Sequence, residues 1–417
     1  MATMPAPHDP GARAIRPPSS GVEKHPVEFT GAGREYFRVW IVNVLLSIVT
    51  LGIYTPWARR RTAQYFYSHT QVAGSPLEFV AEQRRMVFGF LAFAALYLAY
   101  ELASSTGQEL AAGLLMFGFA ALMPFLWASA MRFRLGATRW RGIRMAFTAS
   151  WKEVYLASWP VFAIAAIWVA VFFIGAAISP QPPIGVAGAD APMRLPAETP
   201  MVLTLAGIGL VLTLLCVIRL EYNYRRLLVA RARIGGQVGR WKPVYMDFVK
   251  VWLATALFFV LAMVVVALTF STVTMAASYL VKEWAVNNIV VAILVGFLAF
   301  VVMIVLLFLL SVPARAYREA RMFQLVWNNI GVAQIARSKT SLKTGAFVWL
   351  KIKNLLLSLI TLGFYRPFAV TSEYAAKVGS VTLYIKGGTD QLVGELVKQQ
   401  GAFGDAAADA FGLDLIG

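Results

Sequence analysis

Six runs of apolar residues, at 86–103, 110–131, 154–178, 201–218, 251–280 and 289–312, take up much of the chain, and none is shorter than 18 residues. A nearly uncharged stretch of that length is what a helix needs to cross about 30 Å of hydrocarbon, so a bilayer and not water sets the fold. Composition points the same way, since 59% of the 417 residues are hydrophobic and only 14% are charged, a balance foreign to soluble domains. The runs fall into three pairs. Short or proline-rich loops join the two members of each pair, which predicts three helical hairpins and six full spans.

Charge orients the pairs. Lys and Arg number five in 57–85, six in 132–152, eight in 219–250 and six in 313–345, whereas the loops inside the pairs carry only Arg194 and Lys282. Twenty-five against two places the basic loops in the cytoplasm, because cations flanking spans are retained there. The net charge of +17 therefore belongs to membrane topology, and nucleic acid is not an expected partner: no zinc finger, helix-turn-helix or aromatic-basic module accompanies it. A lone cysteine, Cys216, excludes a disulfide within the chain.

A duplicated motif frames the six runs. Residues 43–56 read NVLLSIVTLGIYTP, and residues 354–367 read NLLLSLITLGFYRP. The polar side chains recur in register: Asn43, Ser47, Thr50 and Tyr54, then Asn354, Ser358, Thr361 and Tyr365. Steps of four, three and four put them on one helical stripe. Gly52 and Gly363 stand where a helix C-cap glycine would, and Pro56 and Pro367 where a first-turn proline would, so each motif contains a break. The helix before the first break rises about 24 Å, short of a full span. Two readings follow: a kinked transmembrane helix, or a short re-entrant or interfacial helix that returns to its own side. Basic residues on both flanks of each copy, including Lys24, Arg34, Lys377 and Lys386, favour the second and put both termini in the cytoplasm. Lipid offers Asn, Ser and Thr no hydrogen-bond partner, so the two stripes are expected to face each other.

The basic connectors carry turn chemistry. Thr138-Arg-Trp-Arg-Gly-Ile-Arg-Met-Ala-Phe147 matches Thr70-Gln-Val-Ala-Gly-Ser-Pro-Leu-Glu-Phe79 as Thr-x3-Gly followed by alternating apolar positions, with looser versions at 327–335 and 379–384. These predict short β-hairpins on the cytoplasmic face, and 27–30 reads as a further short strand. The expected fold is thus all-α and polytopic, with six transmembrane helices, two Gly/Pro-broken motif helices and small β-hairpin connectors. Its divisions are an irregular lead at 1–26, the first motif and connector at 27–85, the hairpins at 86–345, the second motif at 346–387 and an acidic Gly/Ala tail at 388–417.

The TLGIYTPWARRR run, its second copy TLGFYRPF and the TRWRGIRMAF connector resemble the YjgN-type family of bacterial inner-membrane proteins, a domain of unknown function. The resemblance covers roughly 28–387. It implies an inner-membrane location and a polytopic topology, with no reaction or substrate to carry over. The second copy departs from the first where Phe368-Ala-Val stands in place of Trp57-Ala-Arg, and the arginine cluster is lost.

No catalytic constellation is visible. Three histidines, His8, His25 and His69, form no metal-spaced group with Cys or carboxylates, and no phosphate loop or nucleophile elbow occurs. No cofactor, metal or enzymatic activity is expected. Lys351 and Lys353, entering the second motif helix, read as snorkelling to the inner headgroups. What remains is a structural, lipid-facing or partner-binding membrane protein, with Arg59, Arg60, Arg61, Arg139, Arg141 and Arg144 as contacts for anionic lipid. The alternative is a transporter or channel whose pathway is lined by the two polar stripes, carrying an unidentified solute.

Overall fold

A computed structural model describes residues 21–178, 199–242, 244–284, 289–332 and 335–387, together with 389, 391–394 and 396–397. The irregular linker expected around 179–200 lies almost wholly outside these residues, as do most of the expected lead and tail. In chain order the elements are β1 (Val22–Phe29), α1 (Gly33–Val49), α2 (Thr55–Ser68), β2 (Thr70–Val72), β3 (Ser75–Phe79), α3 (Gln83–Ser105), α4 (Glu109–Gly136), β4 (Thr138–Trp140), β5 (Ile143–Phe147), α5 (Trp151–Ala157), α6 (Trp159–Ile178) and α7 (Thr199–Arg231). The chain continues through β6 (Ala232–Ile234), β7 (Gln237–Trp241), α8 (Tyr245–Trp284), α9 (Ile289–Trp327), β8 (Ile330–Val332), β9 (Ala336–Thr340), α10 (Thr344–Ile360), α11 (Arg366–Val378) and β10 (Val381–Lys386).

The strands correct the all-α expectation. They are not separate small hairpins resting on a membrane face; all ten join edge to edge into one closed antiparallel barrel, ordered β1-β10-β9-β8-β7-β6-β5-β4-β3-β2. The physical reason is that hairpins with strands this short are marginal alone and leave open edges, which closure removes. Tight turns supply the local geometry at two of the hairpins. Ala73 and Gly74 have φ of 49° and 73°, and Arg141 and Gly142 have 49° and 79°, the positive pair that a two-residue hairpin requires. The ring closes through the ends of the chain, with Val22 opposite Lys386 and Pro26 opposite Thr382. β1 therefore takes in residues 22–26, which composition alone placed in the lead.

Strand alternation sorts the barrel. Trp140, Ile143, Ala336 and Ile385 point inward and form one buried cluster with Val72, Leu77, Met145, Ile234, Val332 and Leu383 around it. The intervening positions face out: Lys24, Arg144, Arg240, Arg337, Lys339 and Lys386 are exposed beside the carboxylates Glu28 and Glu78, and Arg139 shares their face, between Glu78 and Arg144, by register. Two further leucines, Leu392 and Leu396, join the inner cluster from beyond β10. The backbone N–H of Gly236 donates to the Leu396 carbonyl at 3.4 Å, so this segment sits on the turn-side rim. The barrel is a packed core and not a lumen.

Topology then fixes where the helices go. Each odd strand from β1 to β9 leads into a helix, and each even strand from β2 to β10 is reached from one. All ten junctions therefore lie on one rim, with the tight turns and both described chain ends on the other; Gly387 N donates to Gly21 O there at 3.4 Å. Five helical hairpins rise from the first rim. Three contain the six helices that, among the described residues, are long and apolar enough to span a bilayer. The other two, α1/α2 and α10/α11, are short, start and end at the barrel, and are neighbours around the ring because β1 pairs with β10.

Candidate functional site: the basic collar and the paired short hairpins

The two motif copies fold alike. In the first, α1 ends at Val49, Leu51 and Gly52 take φ of 49° and 90°, and Gly52 N bonds Ser47 O at 2.7 Å. In the second, Leu362 and Gly363 take 50° and 92°, and Gly363 N bonds Ser358 O at 2.7 Å. The threonines complete the turn in both: Thr50 Oγ1 donates to Leu46 O and accepts from Tyr54 N, as Thr361 Oγ1 does with Leu357 O and Tyr365 N. Pro56 and Pro367 stand in the first turn of the returning helix, where a missing N–H costs nothing.

The stripe asparagines reach across their own hairpins. Asn43 Nδ2 donates to Ala58 O at 3.3 Å, and Asn354 Nδ2 lies 3.2 Å from Ala369 O, 3.0 Å from Ser372 Oγ and 3.1 Å from Glu373 Oε1. Ser358 Oγ bonds Asn354 O within its own helix. The structure thus brings the copies together, but by aromatic contact of α1 with the second copy: Phe37 stacks on Phe368 at 5.9 Å, and Trp40 meets Phe364 at 6.5 Å. Phe368, where the second copy departs from the first, fits against Gly33, at which an added Cβ would lie 2.7 Å from its ring.

At the tips the side chains are apolar and bare. Val49 is 79% exposed, Leu51 94%, Ile360 77% and Leu362 89%. Below the tips, Arg59 and Arg61 are exposed, Arg61 donates to the Tyr54 hydroxyl at 3.3 Å, and the half-buried Arg60 has a buried Nε with no partner. Arg139 and Arg144 stand directly opposite each other across β4 and β5. Arg141 is differently employed: its guanidinium holds the neighbouring turn through Ser75 Oγ at 2.7 Å and Ala73 O at 3.1 Å.

Between barrel and membrane the helix bases form a polar collar that sequence reasoning missed. Glu319 on α9 pairs with Lys351 at 3.0 Å and Lys377 at 2.7 Å, and Lys351 also reaches Glu373 at 2.6 Å. Lys351 therefore faces protein carboxylates and does not snorkel to headgroups. Burial works against its charged form, but the hydrogen bonds and charges of Glu373, and then Glu319, hold its pKa above the ordinary lysine value. The adjacent Arg318 leans the other way, its guanidinium 4.6 Å over the Trp252 ring and 3.6 Å from Glu221. Glu221 in turn accepts from Arg225 at 2.7 Å and from Trp252 Nε1 at 2.8 Å. Further round, Arg231 pairs with Glu153, whose carboxyl is held below its usual range by the Ser150 backbone N–H and by Arg231, and Thr70 bonds Tyr374 at 2.9 Å. Unlike charges on helix bases were the available signal, but pairing them requires the ring order.

A closed barrel, six helices among the described residues that are long and apolar enough to cross a bilayer, and two short returning hairpins define a multi-pass membrane protein. The sequence matches, over residues 24–410, the model of a family described as bacterial protein of unknown function (DUF898), and the chain belongs to that family. It is 32% identical over 154 residues to the inner membrane protein YjgN of Escherichia coli O157:H7 and 31% over 160 residues to that of strain K12. These alignments cover 37% and 38% of this chain and 39% and 40% of those proteins, so they span well under half of either partner. The protein of the same name from Salmonella typhimurium is 27% identical over 153 residues. No solved structure matches the chain.

Proposed function

We propose that the chain is a non-enzymatic, lipid-facing protein of the bacterial inner membrane, with its barrel and both termini in the cytoplasm, and that its barrel-side surface gathers anionic phospholipid. The observation that carries this is the placement of charge. The exposed Arg59 and Arg61 of α2 follow directly on the bare apolar tip of the first short hairpin, and cations outnumber the exposed carboxylates Glu28 and Glu78 on the outward strand positions of the barrel below. Cations beside inserted apolar side chains are the combination that holds phosphatidylglycerol or cardiolipin headgroups. The basic connectors supply the orientation under the positive-inside rule. The same reading takes the alternation of strand pairs and helix pairs as a five-unit internal repeat, in which the two motif copies are the short units.

Two measurements test it. Native mass spectrometry of protein released from bilayers of mixed composition is expected to show retained anionic lipid, reduced in Arg59→Ala/Arg61→Ala; retention of zwitterionic and anionic lipids in their bulk ratio would refute the reading. Lys24→Cys in a Cys216→Ala background is expected to resist impermeant maleimide in spheroplasts and to react after lysis. Labelling from outside would put the barrel in the periplasm.

A further inference from the structure

We infer that the two short hairpins together form a one-leaflet wedge, which makes the protein a sensor of membrane curvature of one sign. The inference rests on the lipid-facing reading of the hairpins, but not on attraction to anionic headgroups. Ring order places α1/α2 and α10/α11 side by side between α9 and α3, so a whole arc of the protein is built from them. They rise from the same rim as the spans. With 17 residues each in α1 and α10, they reach about 25 Å at 1.5 Å per residue, while the 40 residues of α8 reach about 60 Å.

The apolar stretch of α8 opens about 9 Å above the rim at Val251, and that of α9 about 22 Å above it, beyond Pro313. Tips at about 25 Å therefore end between the near interface and the bilayer midplane for a hydrocarbon core of about 30 Å. The exposed side chains agree with that depth. Leu51 and Leu362 at the turns are the most exposed of the two motifs, and Trp349, 67% exposed, lies nearer the rim, where an interfacial aromatic belongs. Paired hairpins whose tips are 79–94% exposed at Val49, Leu51 and Leu362 have lipid as their natural cover, because both flanks of the arc are the protein's own spans.

The consequence is an area mismatch between leaflets. Among the described residues, six helices cross both leaflets, and two hairpin tips, each presenting two helix cross-sections, enter only the barrel-side one. At a helix diameter of about 10 Å those tips add on the order of 300 Å² to one leaflet. A protein broader on its barrel side partitions to membrane that is convex on that side, where the leaflet is already expanded.

The test uses the full chain, fluorescently labelled, in purely zwitterionic vesicles of graded diameter, so that no anionic headgroup contributes. Protease access to the barrel separates barrel-out from barrel-in populations. Protein per lipid is expected to rise severalfold from about 200 nm to about 30 nm vesicles when the barrel is outside, and to fall when it is inside. Equal density at all diameters, or the same trend in both orientations, would overturn the wedge. Leu51→Ser/Leu362→Ser should weaken the trend while leaving the elution volume and circular dichroism of the protein unchanged. An undiminished trend in that folded variant would also overturn it. Loss of anionic-lipid retention with curvature sorting intact would count against the proposed headgroup binding alone.

Discussion

Replacing Asn354 by leucine should cost far more than replacing Asn43, although the two residues occupy equivalent places in the motif. Asn354 is 2% exposed, and its two amide hydrogens serve acceptors on α11, among them the Ala369 carbonyl and the Glu373 carboxylate. Leucine matches the volume but removes both bonds; Ala369 O keeps the Ser372 hydroxyl and Glu373 keeps Lys351, so the loss is one neutral bond of about 0.5–1.5 kcal/mol and one bond to a carboxylate of about 1.5–3 kcal/mol, together about 2–4 kcal/mol. Asn43 makes one long bond at 3.3 Å, and its Oδ1 is already buried without a partner; leucine there removes a weak bond together with an unsatisfied atom, for a loss of about 1 kcal/mol or less. Because the two asparagines share no partner, the double variant should be additive within about 0.5 kcal/mol. Unfolding midpoints in mixed micelles for the two single variants and the double variant measure all three quantities. An equal or larger cost at Asn43, or a coupling well above 0.5 kcal/mol, would refute the claim that each stripe is satisfied within its own hairpin.

Gly235→Ala should release the segment that closes the turn-side rim, since an added Cβ would lie 2.5 Å from the Leu396 carbonyl oxygen; limited proteolysis should cut near residue 397 faster than in the control Gly74→Ala, which also sits at positive φ but in open space. Equal cleavage would disprove the close approach. Arg139→Ala should leave stability about unchanged, because it removes a like charge directly opposite Arg144 together with an unlike one directly opposite Glu78, while lowering anionic-lipid retention; Arg141→Ala should destabilise the barrel by about 1–3 kcal/mol through the two lost contacts to the β2–β3 turn. The Glu153 carboxyl, depressed when folded, contributes stability that is present above its unfolded value near 4.5 and lost as pH falls through the lower folded value; Glu153→Gln should flatten the acid limb of a stability profile and leave the alkaline limb alone. Lys351, raised when folded, contributes fully below its unfolded value of 10.5, and the contribution fades only as pH rises through the higher folded value, so Lys351→Met should lower the midpoint at pH 7 as well as at pH 9.

How much of this was readable in the chain divides by distance along it. The six spans were legible because hydropathy is local, and two of the hairpins were legible because Ala73-Gly74 and Arg141-Gly142 announce their turns. The hairpin at β6 and β7 was missed although a Gly235-Gly236 doublet marks it, since no Thr-x3-Gly pattern drew attention there. Barrel closure was out of reach: the pairing of Val22 with Lys386 leaves no local trace, and each strand of three to eight residues reads as an isolated short element. The collar failed for the same reason, as nothing near Lys351 in sequence says that Glu319 and Glu373 wait on two other helices.

The barrel also explains how a protein with loosely packed spans holds one arrangement. In the most apolar window of each spanning helix, only 0–17% of residues are buried within the protein, and the spanning helices pack on one another chiefly as α3 with α4, α6 with α7 and α8 with α9, while contact between hairpins is concentrated where α9 meets α10 and α1 meets α11. Lipid gives apolar helices no hydrophobic reason to associate, since acyl chains solvate leucine as well as another leucine does. The same residues in water have that reason in full. A chain that must order five helical hairpins therefore gains most from specifying their order outside the bilayer, where Trp140, Ile143, Ile385 and their neighbours are driven inward and strand register admits one sequence of neighbours. The collar ion pairs then fix the angle at which each hairpin leaves the rim. On this account the order of the spans is set by ten short strands, and substitutions in the barrel core should scramble the membrane arrangement more than substitutions of equal size on the spans themselves.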